Sequence, residues 1–273
     1  MRHTTKGLVL GSFIALTGTA TFAGVVQVQV TAQNLAPANS LGFAPLHFGF
    51  GNGTFDSFDN GTVAFNTGDI ATAPIVTIAE GGSGSTWLPA FAAAEPNATI
   101  GSVTGPTGGP FVPGAVNSAV FSVDTSNRYF TFGSMAVPSN DRFVGNDDPR
   151  AFPVFDPSGN LVLNTIVQKT RDIWDAGSET DEPANAAFLV IGTNSQRVNQ
   201  NGVVAFNSDF SAYNGLTTAA GYTFNSNLLS ANDDVLRISF AIVPEPTSAA
   251  AGATILASIG GSWLLRRRQR QPV

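Results

Sequence analysis

The chain has 273 residues, of which 43% are apolar and only 12% are charged, and its formal net charge is −6. It contains no cysteine, which excludes disulfide-stapled scaffolds and thiolate metal sites. Its many Gly, Pro, Asn, Ser and Thr residues favour a β-rich exported domain, because they punctuate strands and weaken helices. The acidic balance argues against a nucleic-acid partner.

The first 23 residues have the pattern of a secretory signal peptide. Arg2 and Lys6 precede an apolar stretch over residues 7–20. Thr21 and Ala23 then place small side chains at the minus-three and minus-one positions of a signal-peptidase site. We therefore expect the protein to be exported and cleaved after Ala23.

The C-terminal end has the pattern of a membrane anchor. The uncharged segment 248–265 would span about 27 Å as a helix, which is enough for a hydrocarbon core of about 30 Å. Arg266, Arg267, Arg268 and Arg270 follow it, and such a cluster stays cytoplasmic. The helix would therefore run from the outside to the inside, in agreement with the signal peptide.

The tetrapeptide Val243-Pro244-Glu245-Pro246 lies just before this segment. Two prolines one residue apart impose an extended backbone that a membrane protease can bind. The Pro-Glu-Pro triplet, the apolar segment and the arginine cluster together resemble the PEP-CTERM sorting signal of bacteria with outer membranes. The resemblance implies that Glu245 is a recognition residue for an exosortase. The protein would be anchored transiently in the inner membrane and then released or transferred to the cell surface.

The expected domain organisation is a signal peptide over residues 1–23, one β-domain over 24–243 and the sorting signal over 244–273. Without its two ends, the chain keeps seven basic and 18 acidic residues, a net charge of −11.

The fold class predicted for the middle domain is all-β, an antiparallel β-sandwich of about eight short strands. Apolar and polar residues alternate over 26–30 and 236–242, which predicts strands with one buried face. No long segment with a 3.6-residue period is present to form crossover helices, and one short helix is expected at Trp87–Ala94. Further strands are predicted at residues 75–78, 119–123, 129–135, 161–167, 187–191 and 203–206.

Histidine chemistry is nearly absent from the expected mature domain. His47 is its only histidine, and without a nucleophile motif a lone histidine favours a structural role. The glycine-rich stretches 81–84 and 105–109 lack the Lys-Ser/Thr pair of a phosphate-binding loop.

Carboxylates are the chemically interesting population. Nine of the 18 acids in the middle domain fall between Asp141 and Glu182. Loop carboxylates suit Ca²⁺, which takes six to eight oxygen ligands, but they also build turns on solvated edges. A glycosidase could draw two catalytic acids from the same set, with only Trp87 and Trp174 as sugar-stacking indoles. These alternatives remain open at the level of the residues.

A family resemblance is carried by two motifs about 30 residues apart. Residues 134–145 read SMAVPSNDRFVG and residues 174–179 read WDAGSE. They are similar to the paired motifs of the spondin N-terminal domain family. Animal members of this family carry PSPDWFVG and DAGTD, and bacterial members carry PSNDxFVG and DAGTE. Three upstream stretches fit the family in the same order: residues 30–37 (its first strand), 55–61 (its FDLFDxG segment) and 78–82 (its AEDG turn).

The resemblance implies a β-sandwich related to C2 domains, with calcium bound by loops at one end. The motif acids correspond to Asp141 and to Asp175 with Glu179, whose longer side chain stands where animal members have Asp. Further candidate ligands in the same region are Asp147, Asn146 and Glu80.

We therefore expect a non-enzymatic surface or extracellular-matrix protein that acts in adhesion or in exopolysaccharide and biofilm organisation. The expected partners are the exosortase, exopolysaccharide or other surface components, and the membrane before processing. One alternative is a carboxylate-dependent hydrolase of surface polysaccharide. Another is a structural coat component whose acidic surface recruits divalent ions weakly.

Overall fold

The structure, a computed structural model, describes residues 24–62, 74–193 and 196–244. Within these ranges, no helix is long and apolar enough to cross a membrane. The predicted signal peptide and the sorting-signal residues from Glu245 onward, including the segment 248–265, lie outside the described residues.

Most regular structure in the described ranges is β, and every strand pairing is antiparallel, which confirms the β-rich class. The elements are β1 (Val25–Asn34), β2 (Gly42–Phe43), β3 (Leu46–Gly51), α1 (Pro74–Gly81), α2 (Trp87–Ala94), β4 (Thr99–Val103), β5 (Val116–Asp124), β6 (Tyr129–Val137), β7 (Arg142–Gly145), β8 (Thr165–Lys169), β9 (Trp174–Asp175), β10 (Ala205–Phe206) and β11 (Asp234–Val243).

The strands form two sheets of different size. The smaller sheet has the order β5-β1-β11-β8, so the first and last strands are its two central members. The larger sheet has the order β10-β9-β7-β6-β3-β4, with β2 paired to β6. Along β1 the burial alternates as the sequence predicts, with Val28, Val30 and Ala32 buried and the intervening Gln29 and Thr31 partly exposed.

Phenylalanine rings fill the space between the two sheets. Phe48 of the larger sheet lies 4.9 Å from Phe121 of the smaller sheet, centroid to centroid. Phe130 and Phe240 make a second such contact at 4.8 Å, with the rings at 70°. Edge-to-face pairs of this kind add to the burial of large apolar area. The sheets therefore pack face to face over a shared aromatic core.

Two short helices cover the other face of the larger sheet, at glycines on neighbouring strands. A Cβ on Gly49 of β3 would lie 2.5 Å from the Phe91 ring of α2. A Cβ on Gly133 of β6 would lie 2.9 Å from Ile78 of α1. His47 of β3 pairs with Gly133, so the two glycines are close neighbours in the sheet. The helices approach the sheet closely because these positions lack side chains.

The strand predicted at residues 75–78 is wrong, because this segment belongs to α1. Its buried residues are Ile75, Val76, Ile78 and Ala79, which is one face of a helix rather than one face of a strand. Pro74 occupies the first helical position, where no backbone donor is needed. The helix predicted at Trp87–Ala94 is confirmed as α2 with the same bounds.

The remaining strand predictions divide into three groups. Those at residues 119–123 and 129–135, like the two terminal ones, are confirmed. Those at 161–167 and 203–206 are confirmed only in their second halves, as the start of β8 and as β10. The strand at 187–191 is wrong: the segment forms turns with isolated bridges, because Phe188 has a left-handed φ of 67° that interrupts extended backbone.

Candidate functional site

The two motifs meet at one end of the larger sheet. Arg142 of β7 is paired with Asp175 of β9 in the antiparallel register. The Ala176 N–H donates to the Asp141 carbonyl oxygen at 3.1 Å, so Asp141 stands beside the turn that follows β9. Sequence positions more than 30 residues apart thus become neighbours through strand pairing.

The Asp141 carboxylate is fully buried and only half satisfied. Its Oδ2 accepts the backbone N–H groups of Ser178 at 2.8 Å and Glu179 at 2.9 Å, and the Ser178 hydroxyl at 3.1 Å. Its Oδ1 has no hydrogen-bond partner among the described residues. Burial and the neighbouring charge of Asp175 raise the pKa of Asp141 to about 7. A buried carboxylate oxygen without a donor is costly, and a bound cation would compensate for it.

Asp175 holds the tight turn that follows it. Its Oδ1 accepts the Gly177 N–H at 2.8 Å, and its Oδ2 accepts the side-chain amide of Asn207 at 2.9 Å. Gly177 has a φ of +65°, and a Cβ there would lie 2.6 Å from the backbone of Val203. The glycine of the DAG motif is therefore required both by its left-handed conformation and by the close approach of the next segment.

Glu179 ends this turn with a buried side chain. Its Oε1 accepts the Asn140 side-chain amide at 2.9 Å. Burial raises the pKa of Glu179 to about 7; the Asn140 hydrogen bond and Arg197 oppose this rise, and the charge of Glu80 adds to it. Glu80 itself forms an ion pair with Arg197. Glu80 therefore lies next to the predicted ligands but is already neutralised by an arginine.

Asp147 is not brought into this group. It follows the far end of β7 from Asp141, with about 13 Å of extended strand between them. Its Oδ1 accepts the Asn60 N–H at 3.2 Å. Burial, together with the charges of Asp59, Asp147 and Asp148, raises the pKa of Asp56. Asp147 thus belongs to a separate, more exposed acidic group, because the four residues of β7 carry it away from the motif turn.

An ion pair between a fully buried arginine and a partly exposed aspartate, beside the motif acids, was missed from the sequence. The Arg142 guanidinium donates two hydrogen bonds of 2.8 Å to Asp181 and has no solvent exposure. The Tyr213 hydroxyl lies 2.6 Å from the Asp181 Oδ1 and 2.8 Å from the Asn140 Oδ1. The guanidinium also lies over the Phe210 ring, 5.0 Å from its centroid. The one available signal was a lone arginine inside the apolar strand Arg142–Gly145.

The fit of these residues to a metal ion is partial. In the ranges that the structure describes, no three His, Asp or Glu side chains form a ready metal site. Asp175 and Glu179 already accept hydrogen bonds from neighbouring side chains or backbone. However, the partnerless Oδ1 of Asp141 and the adjacent Asp175 charge are what a hard cation would balance. Asp141 and Asp175, with Glu179 at the end of the same turn, are the residues that would hold such an ion.

Of the predicted sorting-signal residues, the first two lie within the structure. Val243 ends β11 in register with Gln27 of β1, and Pro244 is the last described residue. Glu245, Pro246, Arg266, Arg267 and Arg268 lie outside the described residues. The sorting signal would thus begin directly where the central strand of the smaller sheet ends.

His47 is held at both ring nitrogens. Its Nε2 lies 3.0 Å from the Gly82 carbonyl oxygen, which can only accept, so this nitrogen carries the proton. Its Nδ1 lies 2.7 Å from the Ser102 hydroxyl, which can donate to it. Burial lowers the pKa of His47, and the Gly82 hydrogen bond opposes this effect.

No protein-family model matches this chain, and no curated protein matches it in sequence. The resemblance to the spondin family therefore stays a prediction from the quoted motifs.

Proposed function

We propose that this protein is an exported, non-enzymatic surface module whose spondin-like β-sandwich is stabilised by Ca²⁺ at Asp141, Asp175 and Glu179. It acts in adhesion or in the organisation of extracellular polysaccharide. Its C-terminal signal is processed by an exosortase, which releases it from the inner membrane or transfers it to the cell surface.

The observation that carries the calcium assignment is the buried Oδ1 of Asp141, which has no donor among the described residues. Asp175 adds a second negative charge next to it, and their repulsion is uncompensated at this point except by Arg142, whose Nη2 is 3.8 Å from Asp175. Arg142 is already bound to Asp181. A cation between Asp141 and Asp175 would balance both carboxylates with oxygen ligands of the type that Ca²⁺ prefers.

The competing hydrolase is less well supported by the same geometry. A glycosidase needs two acids that flank a bound sugar about 5–10 Å apart. Asp141 has no solvent exposure, and its Oδ2 is occupied by three donors from Ser178 and Glu179. A glycosidic bond could not reach this carboxylate without unfolding the turn, whereas a single ion is far smaller than a sugar ring.

Calcium titration of thermal unfolding tests the proposal. The full chain is purified in detergent, treated with a chelator and melted at increasing Ca²⁺ concentrations. Because an ion that binds only the folded state stabilises it by mass action, the melting temperature should rise, corresponding to about 2.7 kcal/mol at 100 times Kd. Asp141→Asn and Asp175→Asn should remove the response.

Asp147→Asn is the matched control and should keep the full calcium response, since Asp147 lies in the other acidic group. An unchanged melt of the wild type, or an equal response in Asp175→Asn, would contradict the calcium site. Reducing sugar released from a surface polysaccharide by the wild type, but not by Asp141→Asn, would support the hydrolase instead.

A further inference from the structure

A shallow groove whose lining contains none of the motif acids has an unusual composition. Its volume is about 370 Å³, within the range of about 300–1,000 Å³ that is typical of small-molecule sites. None of its seven lining residues is titratable, although the chain is acidic overall. The lining consists of Asn39, Asn214, Gly215, Thr223, Phe224, Asn225 and Asn227.

Two of the four asparagines are already oriented by the backbone. Asn214 Oδ1 accepts the Ser226 N–H at 3.0 Å, and Asn225 Oδ1 accepts the Asn227 N–H at 3.1 Å. Because a backbone N–H must donate, the atom facing it is the carbonyl oxygen of each side chain. Both NH₂ groups make no hydrogen bond among the described residues, so they are fixed donors available to a ligand.

The remaining polar side chains of the lining have both their donors and their acceptors available. The side chains of Asn39, Asn227 and Thr223 are exposed and make no hydrogen bond within the described part of the chain. Asn39 has a left-handed φ of 64°. Its main-chain carbonyl oxygen accepts the main-chain N–H of Asn225 at 2.9 Å. This main-chain bond ties the two walls of the groove together, so the backbone of the groove keeps its shape before a ligand arrives, while the Asn39 and Asn227 amides stay free to turn toward it.

The chemistry of the lining selects the ligand class. An ionic ligand would find no opposite charge, and an apolar ligand would leave the amides without partners. Sugar hydroxyl groups both donate and accept hydrogen bonds, as amide side chains do. They could therefore accept from the fixed NH₂ groups of Asn214 and Asn225 and pair with the free amides of Asn39 and Asn227. We infer that this groove, which we call the asparagine groove, is a binding subsite for a neutral saccharide.

This inference deepens the proposed surface role, on which it rests for its biological setting. It names the chemical class that the module would bind. It does not depend on calcium, because in the described ranges no groove residue is hydrogen-bonded to Asp141, Asp175 or Glu179. The calcium test and the saccharide test can therefore fail separately.

The experiment is native gel electrophoresis of the full chain in detergent, through gels that contain dextran, mannan or galactan, with alginate as the anionic control. We expect at least one of the three neutral polymers to retard the wild type, and alginate not to. Asn39→Gly combined with Asn227→Ala should weaken this retention about fivefold or more, as expected for the loss of one or two hydrogen bonds. Glycine at residue 39 keeps the left-handed backbone.

The matched control is Asn201→Gly combined with Asn97→Ala. Asn201 is also an exposed asparagine with a left-handed φ, 56°, and neither residue lines the groove. This control should bind as the wild type does. Thr223→Val provides a second test at an exposed position without backbone strain, and it should also weaken retention.

Three outcomes would overturn the inference: no retardation by any neutral polymer, equal retention of the groove variant and the wild type, or retardation by alginate as strong as by the neutral polymers. A calcium response that survives in the groove variant would show that such a failure concerns the groove alone.

Discussion

The Asp141 carboxylate accepts the backbone N–H of Glu179 at 2.9 Å, so one motif acid fixes the position of the other. The same oxygen accepts two donors from Ser178. The PSND motif thus shapes the DAGSE turn independently of any bound ion. A side chain with this role has two separable functions, as an acceptor and as a charge.

The two functions of Asp141 can be separated by two substitutions. Asp141→Ala removes the acceptor and leaves the Ser178 and Glu179 donors buried, and it should lower the free energy of unfolding by about 2–3 kcal/mol in chelator. Asp141→Asn keeps an acceptor oxygen and removes the charge, so it should cost much less. Urea denaturation measures both values. Equal losses in the two variants would show that the charge, not the acceptor, maintains the turn.

The Arg142–Asp181 pair should contribute more to stability than a surface pair does, because its guanidinium is fully buried. Asp181→Ala removes two hydrogen bonds from the buried guanidinium and leaves it only Asp175, 3.8 Å away, so the variant should cost about 2–3 kcal/mol. The partly exposed pair of Lys169 and Asp234 offers a comparison: Asp234→Ala should cost less than about 1 kcal/mol. Urea denaturation at low and moderate salt would measure both. Similar losses in the two variants would argue against a special role of Arg142.

His47 should make the protein less stable in mild acid. Its pKa in the folded state is below its ordinary value of 6.5, so the unfolded chain binds the proton first. The stability that neutral His47 provides is present above pH 6.5 and is lost as the pH falls, by at most about 1.4 kcal/mol per pH unit.

The measurement is the free energy of unfolding between pH 8 and 5 for the wild type and His47→Gln. The difference between the two curves isolates the contribution of His47. The acids with raised pKa values affect both curves equally, and they make the protein more stable as the pH falls. The wild type should lose more stability than the variant as the pH falls. Parallel curves would contradict the assignment.

Gly49 should not tolerate a side chain, because the Phe91 ring lies over it. Gly49→Ala should lower the free energy of unfolding by about 1–3 kcal/mol, the usual cost of overpacking. Gly81 ends α1, and a Cβ there meets nothing within 4 Å. Gly81→Ala should therefore be neutral or slightly stabilising, by up to about 1 kcal/mol. Thermal unfolding of the two variants measures this difference in stability. Equal effects would argue against close helix–sheet packing at Gly49.

The proposed sorting signal makes a prediction about where the chain is found. Pro244→Ala combined with Pro246→Ala should leave the chain in the membrane fraction, because a flexible backbone presents the cleavage region poorly to an exosortase. Pro157→Ala, at an exposed turn, is the control and should be processed normally. Fractionation and mass spectrometry of the C-terminus give the result, and normal release of the double variant would count against the signal.

Period-two alternation in the sequence was sufficient to locate the central strands. Residues 26–30 and 236–242 alternate because one face of each strand meets the core. The run Ile75–Ile78 was misread because four residues are too few to separate a strand from one buried turn of helix. The proline before it and the left-handed glycine at residue 82 were the signals that could have corrected the assignment.

The site was predictable only in part, for a similar reason. The two motifs place Asp141, Asp175 and Glu179 in one region because β7 pairs with β9. Asp147 was included because it is close in sequence, but an extended strand separates near neighbours by about 3.3 Å per residue. The Arg142–Asp181 pair depends on a contact across 39 residues that no local pattern encodes. The burial of the Arg142 charge against a carboxylate so distant in sequence is visible only in three dimensions.

The pairing of β1 with β11 has a consequence for the order of assembly. Gln27 is opposite Val243 in the middle of the smaller sheet, so residues separated by almost the whole domain must meet before that sheet is complete. If the chain is exported as proposed and emerges from a translocation pore with its N-terminus first, its smaller sheet stays incomplete until its last strand has passed. Such distant contacts close slowly, and an enzyme that cuts directly behind Val243 would act on the final piece to be delivered.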